Sequence, residues 1–309
     1  MDLQKNKSNT AQLKLPGGLV FQPITDDLAE KCAEVAARAY SSMNPLAIAI
    51  GKTYEEEKAR LYNNIKNHQK CPFSHVLLDG EEIVAVNFSS KFSECYLGKV
   101  ANDEIDIEAP EYTEKQKFVM RIYKQIFNKE EFGDYDYLFQ IYAKNPDYKK
   151  KTDCLVQYTQ IFHYMCCYFG GVEELSFCTN KKMLQFLTKR LEAKTWAQVE
   201  DPQKLVFEGK NCFEGVEHAT LAIITFGMIS QPLPEYENIR DDVIQYCEDL
   251  NMEPNYKLKP ENKKQADLYM EKYVEQKQKN IEKQIEEQAK ELEQVQIQDQ
   301  QDQQVELTA

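Results

Sequence analysis

Apolar residues recur along this chain first with one period and then with another. Leu19-Val20-Phe21 opens a strand after the flexible Pro16-Gly17-Gly18. From Asp26 and Asp27 the period lengthens: Leu28, Cys32, Val35, Ala36 and Tyr40 share one face of a predicted helix. Thr53 caps a second helix, with Glu56 as its capping-box partner. The run FSHVLLDGEEIVAVNFSS (73–90) sets two β-rich segments around Asp79-Gly80, which predicts a hairpin. Residues 93–110 read as loop, and 111–128 as a helix with Phe118, Ile122 and Ile126 on one face. A strand follows over 137–143, then the basic stretch NPDYKKKTDC (145–154) and a helix over 153–169 that ends at Gly170-Gly171. Beyond it come a strand over 172–178, a helix over 181–193, and strands near 195–207 and 216–226. That order of elements predicts a mixed central sheet with helices on both faces.

The last eighty or so residues have a different pattern. SQPLPEYEN (230–238) reads as a linker and IRDDVIQYCEDL (239–250) as a short amphipathic helix. From Glu261 to Gln298 there is no Gly or Pro. In that stretch Val274, Ile281, Ile285, Leu292 and Val295 form an a/d seam, interrupted by Gln278 and Gln288. The expected division is a flexible N-terminus over 1–18 and a main domain over 19–228. A linker with a short helix (229–260) and a long charged, Gln-rich helix and tail (261–309) follow. The seam reads as a docking helix for a protein partner over 261–298.

Composition narrows the partners. The chain has 309 residues, 42% hydrophobic, and a net charge of −13, so nucleic acid is not expected as a partner. The longest apolar run, ATLAIITFGMI (219–229), is too short to span a bilayer, and no membrane is expected. The N-terminal stretch lacks the apolar core of a secretory signal, and nine cysteines then read as reduced thiols in a cytoplasmic compartment. His163, Cys166 and Cys167 stand at i, i+3 and i+4, but they sit among apolar residues with no second ligand pair at zinc spacing. They read as a buried thiol face, and no metal is expected.

The strand and basic turn YAKNPDYKKKTDC (142–154), the stretch TNKKMLQFLTKRLEAKTW (179–196) and the element order together carry a resemblance. The chain resembles the GCN5-related N-acetyltransferase (GNAT) superfamily over about residues 19–227, in particular its arylalkylamine N-acetyltransferase-like branch. The resemblance implies a GNAT-like α/β fold, a mixed sheet flanked by helices, here with a C-terminal helical extension. It also implies acetyl-CoA as cofactor, with pantetheine along strand Tyr142-Ala143 and pyrophosphate at the turn of Lys149, Lys150, Lys151, Thr152, Asp153 and Cys154. Asn180 stands where that family's side chain often meets pantetheine.

Several residues depart from the family pattern. Thr152 and Cys154 occupy the loop's glycine positions; a β-branched side chain disfavours φ > 0, and Asp153 brings a carboxylate to where the anion would lie. Asn44-Pro45-Leu46 stands where the branch often carries Glu-Pro-Leu, and an amide cannot take a proton as the Glu would. Leu187 stands near the usual acid tyrosine, so no catalytic residue can be assigned. Tyr142, Asp134, Asp136, Glu217 and His218 are substitutes without specific spacing. Two functions follow. One is an acetyl-CoA-dependent N-acetyltransferase acting on a small amine or a lysine-bearing protein. The alternative is a catalytically inactive GNAT-fold subunit docked into a larger cytoskeletal or ciliary assembly.

Overall fold

The computed structural model describes residues 11–69, 71–127, 135–150, 163, 166–167, 170–226, 240–250 and 257–308. The chain divides into two compact units, Met1–Asn262 and Lys263–Ala309.

The first unit is built on an eight-stranded sheet. Its strands are β1 (Leu13–Lys14), β2 (Leu19–Pro23), β3 (His75–Asp79), β4 (Glu82–Lys91), β5 (Leu138–Lys144), β6 (Glu174–Asn180), β7 (Lys194–Gln198) and β10 (Ala219–Phe226). They lie in the order β1-β2-β3-β4-β5-β6-β10-β7. A separate ribbon pairs β8 (Val206–Phe207) with β9 (Lys210–Asn211). Of the eight-stranded sheet's neighbouring pairs, β5 and β6 are parallel and the rest antiparallel. The expected mixed sheet is therefore present. The β3–β4 hairpin turns at Gly80, whose φ of +59° suits a residue without Cβ, and Asp79 faces Glu82 across the turn.

Both faces are covered, which is why β3 is buried nearly throughout rather than alternating with solvent. On one face α1 (Asp26–Met43) lays Cys32, Ala33 and Ala36 into a cluster with Val76, Val86, Phe88 and Tyr123. Small residues on α1 let the helix approach the sheet closely. On the other face, Tyr246 of the helix Arg240–Asp249 meets Phe21 and His75, with ring centroids 5.8 Å apart in each pair. Helix α3 (Tyr54–Gln69) starts at the expected box: Thr53 N donates to Glu56 Oε2 at 2.7 Å, and Glu56 N to Thr53 Oγ1 at 3.2 Å. Helix α5 (Glu114–Ile126) starts at a second box, Thr113 with Gln116.

One local expectation is corrected, and two short elements stand where none was expected. Residues 1–10 lie outside the described residues, while β1 pairs with β2, and Ala11, Leu13 and Leu15 are buried with Gln12 and Lys14 exposed. Residues 93–110 were expected to be loop but contain α4 (Tyr96–Ala101), entered through a 3₁₀ turn over Phe92–Glu94. A short helix α2 (Pro45–Ala49) also stands between α1 and α3. The helix expected over 153–169 lies outside the described residues except at His163, Cys166 and Cys167, which are helical.

The second unit is helical: the helix Pro260–Thr308 runs for 49 residues and leaves Val274, Ile281 and Ile285 exposed. No helix among the described residues is long and apolar enough to cross a membrane.

Candidate functional site

The sheet opens in its middle. β5 and β6 pair only at Leu138↔Glu174 and Phe139↔Leu175. β4 nevertheless follows β5 as far as Lys144, and β10 follows β6 to Asn180. Beyond Phe139 and Leu175 the two parallel strands continue without pairing to each other, forming a fork. Ala143 is buried on β5. Tyr142 carries a hydroxyl that is buried without a partner among the described residues, and burial pushes its phenol far above the usual value. It stays protonated at neutral pH and cannot serve as a base.

The basic turn after β5 is pinned to the β3–β4 hairpin. Asn145 is buried; its backbone N donates to Val84 O at 2.9 Å and its Nδ2 to Ile83 O at 2.7 Å. Asp147 N donates to Asn145 Oδ1 at 3.0 Å, closing an Asx turn. Tyr148 Oη donates to Asp79 Oδ2 at 2.7 Å, and Lys150 Nζ pairs with the same oxygen. These two donors, Lys150 first, hold the Asp79 carboxyl below the usual carboxylate range. Lys150 is therefore already neutralised from within. Lys149 is exposed and has no ion pair among the described residues. Lys151, Thr152, Asp153 and Cys154 lie outside the described residues.

No protein-family model and no curated protein matches the sequence. Solved structures do match in shape. Arylalkylamine N-acetyltransferase 2 from Aedes aegypti aligns with a TM-score of 0.52 at 14% identity, over 68% of this chain and 99% of that one. The mosquito arylalkylamine N-acetyltransferase like 5b aligns with a TM-score of 0.52 at 15% identity, over 67% and 98%. The C-terminal condensation domain of Ebony, solved with beta-alanyl-dopamine, gives 0.52 at 10% identity, over 67% and 97%. The fold is that of the GCN5-related N-acetyltransferases.

On a GNAT frame, the positions singled out in the sequence have visible local jobs. Asn44 is the N-cap of α2, with Oδ1 accepting from Ala47 N at 3.1 Å, and Pro45 is the first helical residue. Asn180 caps the helix Lys181–Arg190, accepting from Lys182 N at 2.9 Å and Met183 N at 3.3 Å. Leu187 is buried. Asp136 is held by Lys91 Nζ at 2.9 Å and by the Lys257 backbone N at 2.7 Å. Glu217 and His218 are exposed neighbours 3.8 Å apart, and Asp134 lies outside the described residues. Among the described residues His218 lies beside Asn180, its carbonyl oxygen accepting from Lys181 N at 2.7 Å.

A group that the sequence did not single out converges. Glu57 is buried and takes Lys52 at 2.9 Å and Arg60 at 2.7 Å. The Arg60 guanidinium lies 5.5 Å from the centre of the Tyr40 ring. Burial first, then the nearby charges of Arg60, Glu57 and Cys178, set the Tyr40 phenol at about 12. Burial likewise pushes the Cys178 thiol of β6 up to about 11. Burial thus holds Tyr40 and Cys178 protonated at neutral pH and makes them weaker acids than an ordinary phenol or thiol. The weak clue in the sequence was Tyr40 at the apolar end of α1's stripe. Its charged neighbours come from α3 and could not be read from spacing.

Proposed function

We propose that this chain is an acetyl-CoA-dependent N-acetyltransferase with a weakened cofactor loop, acting on the amine of a small molecule or of a lysine-bearing protein. The fork between β5 and β6 is the observation that carries this reading. A strand edge without a neighbouring strand favours an extended ligand that carries its own amides, as a pantetheine arm does. When bound, acetyl-CoA supplies the thioester on which an amine forms a C–N bond as the C–S bond breaks. The β5 edge binds and orients that arm, and Lys149 offers a charge for its phosphates. The proton that the amine sheds can pass through water to the departing thiolate. The solved relatives named above for arylalkylamine N-acetylation support an amine acceptor.

Specific observations favour the second reading, an inactive subunit docked into a cytoplasmic assembly such as cytoskeleton or cilium. The Asn44 side chain is spent on a cap, and Lys150 on Asp79. Val274, Ile281 and Ile285 offer an exposed apolar stripe for a protein partner along 261–298.

Calorimetric titration of acetyl-CoA into the full chain, with thioester cleavage followed across a panel of small amines, separates the two. Saturable binding with turnover is expected. Binding without turnover on any amine or lysine peptide favours the docked subunit. Asp79→Asn gives a directional check. Releasing Lys150 from its competing carboxylate should raise acetyl-CoA affinity about twofold to fivefold, the worth of an exposed ion pair. Unchanged affinity would remove Lys150 from the cofactor site.

A further inference from the structure

On the sheet face opposite α1, four ionisable side chains from three elements meet in the interior. His75 comes from β3, His163 and Cys167 from one turn of the crossover helix, and Glu174 from the start of β6. Their relative exposures are 0%, 1%, 2% and 2%. His163 Nε2 lies 2.9 Å from Glu174 Oε2 and 3.6 Å from Cys167 Sγ. One donor atom from each of His163, Cys167 and Glu174 falls within 4.8 Å of the other two.

An imidazole–carboxylate hydrogen bond accounts for one contact and leaves the rest unexplained. Among the described residues, His163 Nδ1, Glu174 Oε1 and both ring nitrogens of His75 are buried without a hydrogen-bond partner. Groups of this kind are costly to bury unsatisfied, and interiors rarely leave several together. The His75 and His163 rings lie with centroids 5.9 Å apart, edge to face. Cys166, the neighbouring thiol, is engaged elsewhere, as hydrogen-bond partner of Cys247.

We propose that His163, Cys167 and Glu174 form a buried structural site for one divalent transition-metal ion, zinc by its donor set, with the His75 ring beside it. Tetrahedral zinc with Zn–N about 2.05 Å and Zn–S about 2.3 Å spans about 3.6 Å from nitrogen to sulfur, the separation found between His163 and Cys167. Nitrogen and oxygen ligands would stand about 3.4 Å apart, so Glu174 has to retreat by about 0.5 Å from its hydrogen bond with His163. The charges also balance. One thiolate, one carboxylate and one neutral imidazole around a dication sum to zero, the cheapest state for a buried site. On binding, the Cys167 thiol gives up its proton to solvent and the sulfur lone pair bonds to the ion. Mixed nitrogen, sulfur and oxygen ligands suit zinc better than calcium or magnesium. The ion would staple the crossover helix to the sheet at Glu174, which pairs with Leu138 at the root of the fork.

The test uses the full chain purified without chelators. Elemental analysis should find about one equivalent of zinc, and chelation under mild denaturant should lower the melting temperature. Exchange into cobalt(II) should give tetrahedral d–d bands and a thiolate-to-cobalt charge-transfer band. That band should vanish in Cys167→Ala and survive in Cys212→Ser, a buried cysteine outside the group. Should Cys167→Ala fail to fold, the wild-type cobalt spectrum with chelator reversal decides alone. Folded wild-type chain that takes up neither zinc nor cobalt would overturn the site, as would a charge-transfer band that persists in Cys167→Ala.

Discussion

Gly98→Ala should destabilise the first unit by about 3 kcal/mol and lower its melting temperature by about 10 °C. In an ordinary helix the change would stabilise, because alanine orders more cheaply than glycine by about 0.5–1 kcal/mol. Here sterics win. A Cβ at Gly98 would stand 1.7 Å from the Phe92 carbonyl oxygen, 2.6 Å from its carbon and 3.3 Å from Ser93 Cα. All three are backbone atoms, so no side chain can swing aside. The Phe92–Glu94 turn and α4 would have to part, and with them the buried Phe92, Leu97 and Val100. Thermal unfolding followed by circular dichroism checks this, and an unchanged or raised midpoint would refute the close approach.

That junction also marks where sequence reasoning falls short. α4 is short, contains Gly98 and is followed by Asn102-Asp103, all of which read as loop. Its cap is Cys95, whose Sγ accepts from Gly98 N at 3.3 Å, and cysteine is not among the usual capping residues. Tertiary packing, not propensity, makes this helix. α2 was different: Asn44-Pro45 is an ordinary cap followed by an N1 proline, read instead as a counterpart of a catalytic triplet. In β1 the period-two burial of Ala11, Leu13 and Leu15 was present in AQLKL, though too short to register. The order of elements along the chain was legible because each of the longer strands carries its own hydrophobic run and turn signal.

Glu57→Ala should destabilise by about 3 kcal/mol, because it removes the buried anion that two partly buried cations share. Glu57 side-chain exposure is 2% and that of Lys52 15%, while Arg60, at 32%, can recover some hydration. Burial alone would raise the Glu57 carboxyl, but Arg60 and Lys52 outweigh it and hold the group below its ordinary 4.5. Lys52 is lowered too, by burial and then by Arg60, since a central anion gains from both cations while each cation feels the other. A depressed carboxyl contributes fully above the unfolded value and loses that contribution as pH falls through the folded one. The stability gap between wild type and Glu57→Ala, read from urea midpoints, should therefore be widest near neutrality and narrow below about pH 4.5. Adding Lys52→Met to Glu57→Ala should recover part of the loss. A gap independent of pH would show that packing, not charge, is what Glu57 provides.

The candidate site was half legible. The fork could be anticipated only through the resemblance carried by the strand and its basic turn. Nothing local announced that Asp79, 71 residues before Lys150, would neutralise it, nor that Asn145 would tie the turn to Ile83. Glu174 joins His163 and Cys167 from a strand, so helical spacing drew attention to Cys166 and missed the carboxylate. Charges meet across a sheet by register, and register is what a single sequence reveals least.

Hydrogen exchange with and without acetyl-CoA tests the fork most directly. At saturating acetyl-CoA, amides of residues 138–150 and 174–182 should slow, while those of β1, β2 and β3 keep their rates. Unchanged exchange along both β5 and β6, or protection confined to other elements, would contradict a cofactor held in the fork.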